Sequence, residues 1–333
     1  MNCFRTKTPK GAVLLLVLGA VAILSILAVE LAHRANIDVS RSARAGREAI
    51  KRRAFDSGVE VAKALLSEGR SESFDYLGDK WNKTVSFRAG ENTSVTVSVQ
   101  DECGKLNVAK AVGSDQTTTR TRRSLARLLE YVKRREPERD EEWRKTEELL
   151  KKRLGVDSKD TMPPLYTLDG LREAGISGEM VFGLRDRTQP RLALSDLLTV
   201  FGDGRINLNT AHPAVLYAID EEYDENLVAQ IAAWRGDSKE GATAAYKPFK
   251  QAKDLEQVEG IIRRLQLDGK STEKNLFQKI QNNVGVQSSC FSACIEIEHF
   301  GRAWKAWAFF ECLPRSGTAG QTVNMLAYEE IEP

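Results

Sequence analysis

Histidine is scarce in this chain: three in 333 residues, at positions 33, 212 and 299. That excludes a histidine-rich metal site and leaves little for histidine-based acid–base catalysis. No Gly-x-Ser-x-Gly elbow, P-loop, Cys-x-x-Cys pair or His-Glu-x-x-His helix occurs. The signatures of hydrolases, nucleotide binders, redox proteins and metalloproteases are therefore missing. A charge of one sign is missing too. The 49 basic and 47 acidic residues leave +2, too even a balance for a chain built around a nucleic acid. Proline is absent from residues 12–70, so nothing there forces a helix to end.

What is present begins at the N-terminus. Arg5, Lys7 and Lys10 precede a run without charge from Gly11 to Val29. At 1.5 Å per residue that run spans about 28 Å, close to one hydrocarbon core. The basic residues before it favour a cytoplasmic N-terminus and a single-pass anchor, with the bulk of the chain across the inner membrane. The far flank is also positive, with seven basic and three acidic residues in 30–53, which weakens that asymmetry. A cleaved secretory signal fits less well, because ELAHRANID after Val29 lacks a good small-x-small site. Beyond the membrane Ile50, Ala54, Gly58, Val61 and Leu65 keep a spacing of three or four, so one helix is expected from 12 to about 67.

After Gly69 the period changes. Residues 84–88 and 94–100 alternate as strands do, and 103–109 extends the set. From about 115 to 283 the pattern is helical and charged. Arg120, Arg122, Arg123, Arg127, Lys133, Arg134 and Arg135 crowd the first helix, whose apolar side carries Leu125, Leu128, Leu129 and Val132. A second helix is expected at 138–154, and shorter ones at 167–174, 192–200, 212–219, 225–235, 253–265 and 272–282. Strands return at 290–299, 303–313 and 321–328, with Gly301 as a hairpin turn. Neither terminal fragment makes a complete sheet alone. The expected fold is α+β: a long N-terminal helix packed on one antiparallel sheet of about six strands, with a large all-helical domain inserted between strands. The implied segments are a leader (1–11), the N-terminal helix (12–68, its transmembrane part 12–29), the first part of the sheet domain (69–112), the insert (113–285) and the second part of the sheet domain (286–333).

Five cysteines stand at 3, 103, 290, 294 and 312. Cys3 precedes the membrane run. The other four fall in expected strands, where an oxidising compartment allows two bridges in three pairings, and unbridged buried thiols are the other reading. Cys290 and Cys294 share a strand face about 13 Å apart when extended. That is too far for each other, so pairing with Cys103 or Cys312 is sterically easier.

Within the insert, Gly202-Asp203-Gly204 reads as a tight turn. Asn207 and Asn209 have side chains able to bond backbone, and Thr210 reads as a helix N-cap ahead of Pro213. With Val258-Glu259-Gly260-Ile261 as a second glycine joint, the region has the look of a helix-hairpin-helix unit. The alternative function is thus an inner-membrane-anchored protein binding DNA for uptake. The acids Asp220, Glu221, Glu222, Asp224 and Glu225 follow directly and would repel phosphate, which speaks against nucleic acid.

Lys10-Gly11 followed by Ala12-Val13-Leu14-Leu15-Leu16 resembles the leader junction of type IV pilin-like proteins. As a whole the chain looks like the K-type minor pseudopilins of the type II secretion system. Three features carry the likeness. The junction has Leu16 at the fifth mature position, where most pilin-like subunits have Glu. The stretch Asp101-Glu102-Cys103-Gly104-Lys105-Leu106-Asn107-Val108 resembles the family's acidic-Gly-Lys-Leu-Asn segment. Residues 198–211, LTVFGDGRINLNTA, resemble the motif of the family's insert. The resemblance implies cleavage by prepilin peptidase after Gly11, methylation of Ala12, and no enzymatic activity. It implies a place at the tip of a periplasmic pseudopilus, with I- and J-type minor pseudopilins and the major pseudopilin shaft as partners, and contact with secreted substrates or the outer-membrane channel. Leu16 then marks the tip position, since a terminal subunit has no neighbour to neutralise a carboxylate buried in hydrocarbon. No cofactor is implied with certainty. Calcium is bound by members of the family, and the acids at 220–225 are the local source of oxygen ligands, although they match no calcium-loop pattern.

Overall fold

The structure, a computed structural model, describes residues 10–71, 73–113, 115–156, 162–183, 191–236, 247–258, 280–314 and 321–331. The chain divides into two compact units, one ending at Asp56 and the other starting at Ser57. Helix α1 runs Lys10–Glu68 without a break, as the lack of proline requires. Its first part exposes an apolar surface from Val13 to Val29, and the helix is long and apolar enough to cross a membrane. Leu16 is 75% exposed within that surface.

In the second unit, the end of α1 lies on a sheet. Strands β1 (Val85–Gly90) and β2 (Thr93–Asp101) form its front part. Next come the two-residue strand β3 (Leu106–Asn107) and helices α2 (Gln116–Arg135), α3 (Asp140–Arg153), α4 (Gly178–Phe182) and α5 (Leu194–Leu197). Short strands β4 (Leu198–Thr199) and β5 (Ile206–Asn207) precede α6 (Pro213–Ala218) and α7 (Glu225–Arg235). After β6 (Val284–Gly285), strands β7 (Cys290–His299), β8 (Arg302–Pro314) and β9 (Gln321–Ile331) complete the fold. The sheet is antiparallel, five-stranded and ordered β1-β2-β7-β8-β9. Strands β2 and β7 are neighbours, although everything from β3 to β6 lies between them in sequence. The pilin-like arrangement expected from the sequence is therefore present, with helices inserted between two adjacent strands.

The period-two pattern of β2 and β7 explains their pairing. Val95, Val97 and Val99 stand opposite Ile297, Ile295 and Ala293, and all six are buried. This apolar face receives Val59, Ala62 and Leu66 of α1, which are buried, while Val61 and Leu65 are half-buried. The stripe is thus rotated from the expected Val61 and Leu65 toward their neighbours. Gly58 is central: a Cβ built there would sit 2.7 Å from Ile295 Cγ2, so glycine lets helix and sheet touch.

Two expectations change. The segment 103–109 is no sixth sheet strand: it forms a 3₁₀ turn at Glu102–Gly104, the short β3, and a 3₁₀ turn at Val108–Ala111. The cause is side-chain competition for the backbone. Asp101 accepts the Cys103 N–H and Asn107 accepts the Ala109 N–H, bending the chain out of the ladder. Cys103 consequently lies in a turn. The helix expected at 167–174 shrinks to a 3₁₀ turn at Leu168–Leu171, the described start of 253–265 forms a 3₁₀ turn at Ala252–Gln257, and 192–200 becomes α5 followed by β4. The rest of 253–265, most of 272–282 and the joint at 259–261 lie outside the described residues. The insert has its own core, in which Leu125, Leu128, Leu129 and Val132 of α2 are buried with Trp143 and Leu150 of α3 and Val215 and Leu216 of α6.

Candidate functional site

The chain leaves the sheet at Asp101 and returns to it at Cys290, and these two crossings form a neck between sheet and helices. The two motifs singled out in the sequence meet there. Leu106 and Asn107 pair in parallel with Leu198 and Thr199, and Ile206 and Asn207 pair in parallel with Val284 and Gly285. Asn107 Nδ2 donates to the carbonyls of Phe201 (2.9 Å) and Gly202 (3.0 Å). The close approach needs Gly104, because a Cβ there would lie 2.8 Å from Thr210 Oγ1 and 3.1 Å from the Thr210 backbone.

At the centre is the Asp101 carboxylate, 6% exposed. Its Oδ2 accepts from Asn207 Nδ2 (3.0 Å), Thr210 Oγ1 (2.5 Å) and Ser288 Oγ (2.6 Å), and its Oδ1 from the Cys103 N–H (2.8 Å). Asp75 completes the knot: Arg70 grips it through Nε (2.6 Å) and Nη2 (2.7 Å), and the Ser288 N–H donates to it at 2.7 Å. Burial pushes the Asp101 carboxyl up to about 6, opposed by the hydrogen bonds of Ser288 and Thr210 and assisted by the nearby Asp75 charge. A second buried pair, Lys105 with Glu102 at 2.6 Å, takes a hydrogen bond from Ser292 Oγ on β7. So four stretches far apart in sequence are joined by groups that have given up water and found one another.

The sequence-selected residues are distributed as follows. Gly202 and Gly204 take positive φ (85° and 87°), as a tight turn demands, and Asp203 accepts the Arg205 N–H at 2.9 Å. Asn207 and Asn209 bond backbone as expected: Asn209 exchanges two hydrogen bonds with Phe249, through Nδ2 to its carbonyl (2.9 Å) and from its N–H (2.8 Å). Thr210 is not a helix cap. Pro213 is the first residue of α6, so the cap falls on His212, whose Nδ1 accepts the Ala214 N–H at 3.2 Å. Burial lowers the His212 pKa and favours the neutral ring this requires. Cys103, Cys290, Cys294 and Cys312 are all buried. Gly11, Ala12 and Leu16 lie in α1, away from the neck in sequence. Sequence reasoning missed Arg70, Asp75 and Ser288, which no local motif marks.

Four arginines of α2 are bound within the chain. Arg122 donates to the carbonyls of Ala111 (2.9 Å), Leu154 and Gly155 (3.2 Å each). Arg127 donates to the carbonyls of Tyr217 (3.0 Å) and Tyr223 (3.2 Å), and Arg134 and Arg135 pair with Glu225. The acidic run is spent likewise, as Asp220 accepts the Glu222 N–H and Asp224 caps α7. Among the described residues no three acidic, His or Cys side chains gather into a group that could hold a metal ion. A groove of about 540 Å³ between α2 and the 218–222 turn is lined by Arg120, Arg123 and Arg127 on one side and Asp220, Glu221 and Glu222 on the other.

A helix whose end lies on an antiparallel sheet, with helices inserted between two adjacent strands through a buried polar neck, makes a pilin-like fold. The particular likeness is to a chain in the crystal structure of the GspK-GspI-GspJ complex from the type 2 secretion system of enterotoxigenic Escherichia coli. The two share 13% identity with a TM-score of 0.55, over 88% of this chain and 99% of that one. The fold is pseudopilin-like. No family signature and no curated protein matches the sequence.

Proposed function

We propose that the chain is a K-type minor pseudopilin that caps and initiates the periplasmic pseudopilus of a type II secretion system. In this reading residues 12–29 sit in the inner membrane and the bulk of the chain is periplasmic. Prepilin peptidase cleaves after Gly11 and methylates Ala12. The subunit joins I- and J-type minor pseudopilins above the major pseudopilin shaft and supports export of folded proteins. It performs no chemistry of its own.

The observation that carries the reading is the fold likeness over almost the full length of both chains, with its apolar helix and inserted helices. Leu16 and the leader junction support the tip position, since a carboxylate at that site would need a neighbouring amine. The α2 arginines, held by carbonyls and Glu225, favour assembly over DNA uptake as the role of the insert.

The test is the mass of the N-terminal peptide isolated from native membranes. A chain beginning at Ala12 with one added methyl group is expected, together with crosslinks to I- and J-type partners. Retention of residues 1–11 would overturn the pseudopilin assignment.

A further inference from the structure

The four buried cysteines are not equivalent. Cys290 and Cys294 point to the sheet face away from α1, where Cys294 packs with Trp307, Phe309 and Phe201. Cys312 is on the other face: its sulfur meets Arg70, whose guanidinium lies 4.6 Å from the centre of the Phe291 ring, and Phe291 belongs to the apolar face. Cys312 is therefore turned away from both other strand thiols. Cys294 sits two pleat repeats, about 13 Å, from Cys290, with Ser98 of β2 opposite it. Cys290 therefore faces neither of the other two strand thiols.

Cys103 and Cys290 converge on the same point. A methyl group built on Gly202 would lie 3.6 Å from Cys103 Sγ and 3.9 Å from both Cβ and Sγ of Cys290. The Ser289 hydroxyl lies between the sulfurs, 3.9 Å from one and 3.8 Å from the other. The backbone N–H groups of Ser289 and Cys290 face the Cys103 sulfur. We propose that Cys103 and Cys290 form a disulfide that closes the neck of the insertion.

Cys103 lies in the turn two residues past the end of β2, and Cys290 is the first residue of the strand by which the chain returns. The bridge encloses the whole of residues 104–289 in one covalent loop and fixes both crossings beside the Asp101 knot. Such a long loop gives a large constraint on the unfolded chain. The chemistry balances with a dithiol–disulfide oxidant. One cysteine thiolate attacks the oxidant's disulfide and expels one of its thiolates. The second cysteine thiolate then displaces the mixed disulfide, leaving one S–S bond in this chain and two thiols on the oxidant. Burial pushes the Cys103 thiol up to about 12 and the Cys290 thiol up to about 11, so neither ionises readily once packed. Bridge formation thus belongs to folding, and the finished bond is shielded from reductants. The proposal rests on the periplasmic placement above only for its source of oxidant.

The test is peptide mapping without reduction, after alkylation of free thiols. It is made on the purified full-length chain refolded in a glutathione redox buffer with detergent, and on native membranes. A linked peptide pair containing Cys103 and Cys290 is expected in both, with Cys294 and Cys312 alkylated. Adding reductant during unfolding should lower the midpoint by on the order of 10 °C in the wild type and leave Cys103→Ser unmoved. The bridge should persist in Cys294→Ser and Cys312→Ser. Alkylation of both Cys103 and Cys290 in the refolded protein, or any other pairing, would overturn the proposal. A bridge in the refolded protein with free thiols in native membranes would uphold the pairing and instead overturn the periplasmic placement.

Discussion

At the scale of single residues, the neck turns on one carboxylate. Asp101→Ala takes the acceptor from the buried hydroxyls of Thr210 and Ser288 and leaves Asn207 only its bonds to the Asp75 carbonyl and Ser288 Oγ. A loss of about 3 kcal/mol in unfolding free energy is expected, against about 1 for Asp101→Asn, which keeps the shape and one oxygen. Denaturant unfolding of the two variants checks this, and equal losses would mean the network is not what holds the neck. The raised carboxyl also has a pH signature. A folded value of about 6 lies above the unfolded one, so between about pH 4 and 6 the folded chain binds a proton that the unfolded chain lacks. The stability of the wild type relative to Asp101→Asn should therefore rise as pH falls from 7 toward 4, by up to about 1.4 kcal/mol per unit. A relative stability that falls over that range contradicts the assignment. Phe300 offers the opposite case. It holds φ 48° beside Gly301 in the two-residue turn between β7 and β8, and it is 73% exposed. Phe300→Asn should raise the unfolding free energy by about 0.5–1 kcal/mol, since asparagine tolerates the left-handed region and little packing is lost. Thermal unfolding would show it.

At the scale of elements, the helix–sheet contact depends on a missing side chain. Ile295 Cγ2 is fixed to a branched carbon and cannot swing aside for a new methyl on Gly58. Gly58→Ala gains about 1 kcal/mol of helix propensity but overpacks the contact, so a net loss of about 1–2 kcal/mol is expected. A stabilised variant would show that α1 and the sheet are less close than the geometry states. The same elements show what a sequence can reveal. Strand β7 was legible residue for residue because alternation is a local signal, and α2 because its leucines recur at helical spacing. The neck was half legible: Asn207, Asn209 and the glycine turn stood out as turn residues, but their partners did not. The β2–β7 ladder brings Asp101 near Ser288, but Asn207 and Asp75 join them through a two-residue parallel pairing and a single backbone bond to Val286 that no periodicity announces. Thr210 misled for a local reason, since the proline that follows it moved the helix start to His212.

At the scale of the whole molecule, the division after Asp56 says which part of α1 belongs to the globular unit. Val59, Ala62 and Leu66 are each at most 6% exposed and cover the valines and isoleucines of β2 and β7. Leaving those strand residues open to water would forgo about 1.5–3 kcal/mol for each large side chain, several times over, in a molecule whose net stability is on the order of 10 kcal/mol. A chain starting at Ser57 should therefore be monomeric and soluble, with cooperative unfolding. One starting at Gly69 keeps every strand and the whole insert, yet exposes a continuous apolar sheet face and should aggregate or lose its cooperative transition. Size-exclusion chromatography and thermal unfolding of the two truncations separate the outcomes. If the shorter chain behaves like the longer, the end of α1 is an attachment and not part of the core. If it fails as expected, α1 is a membrane-compatible helix at its start and a structural member of the sheet domain at its end. Around Asp56 the described chain is continuous helix, so the boundary between the two units offers a protease no extended linker to cut.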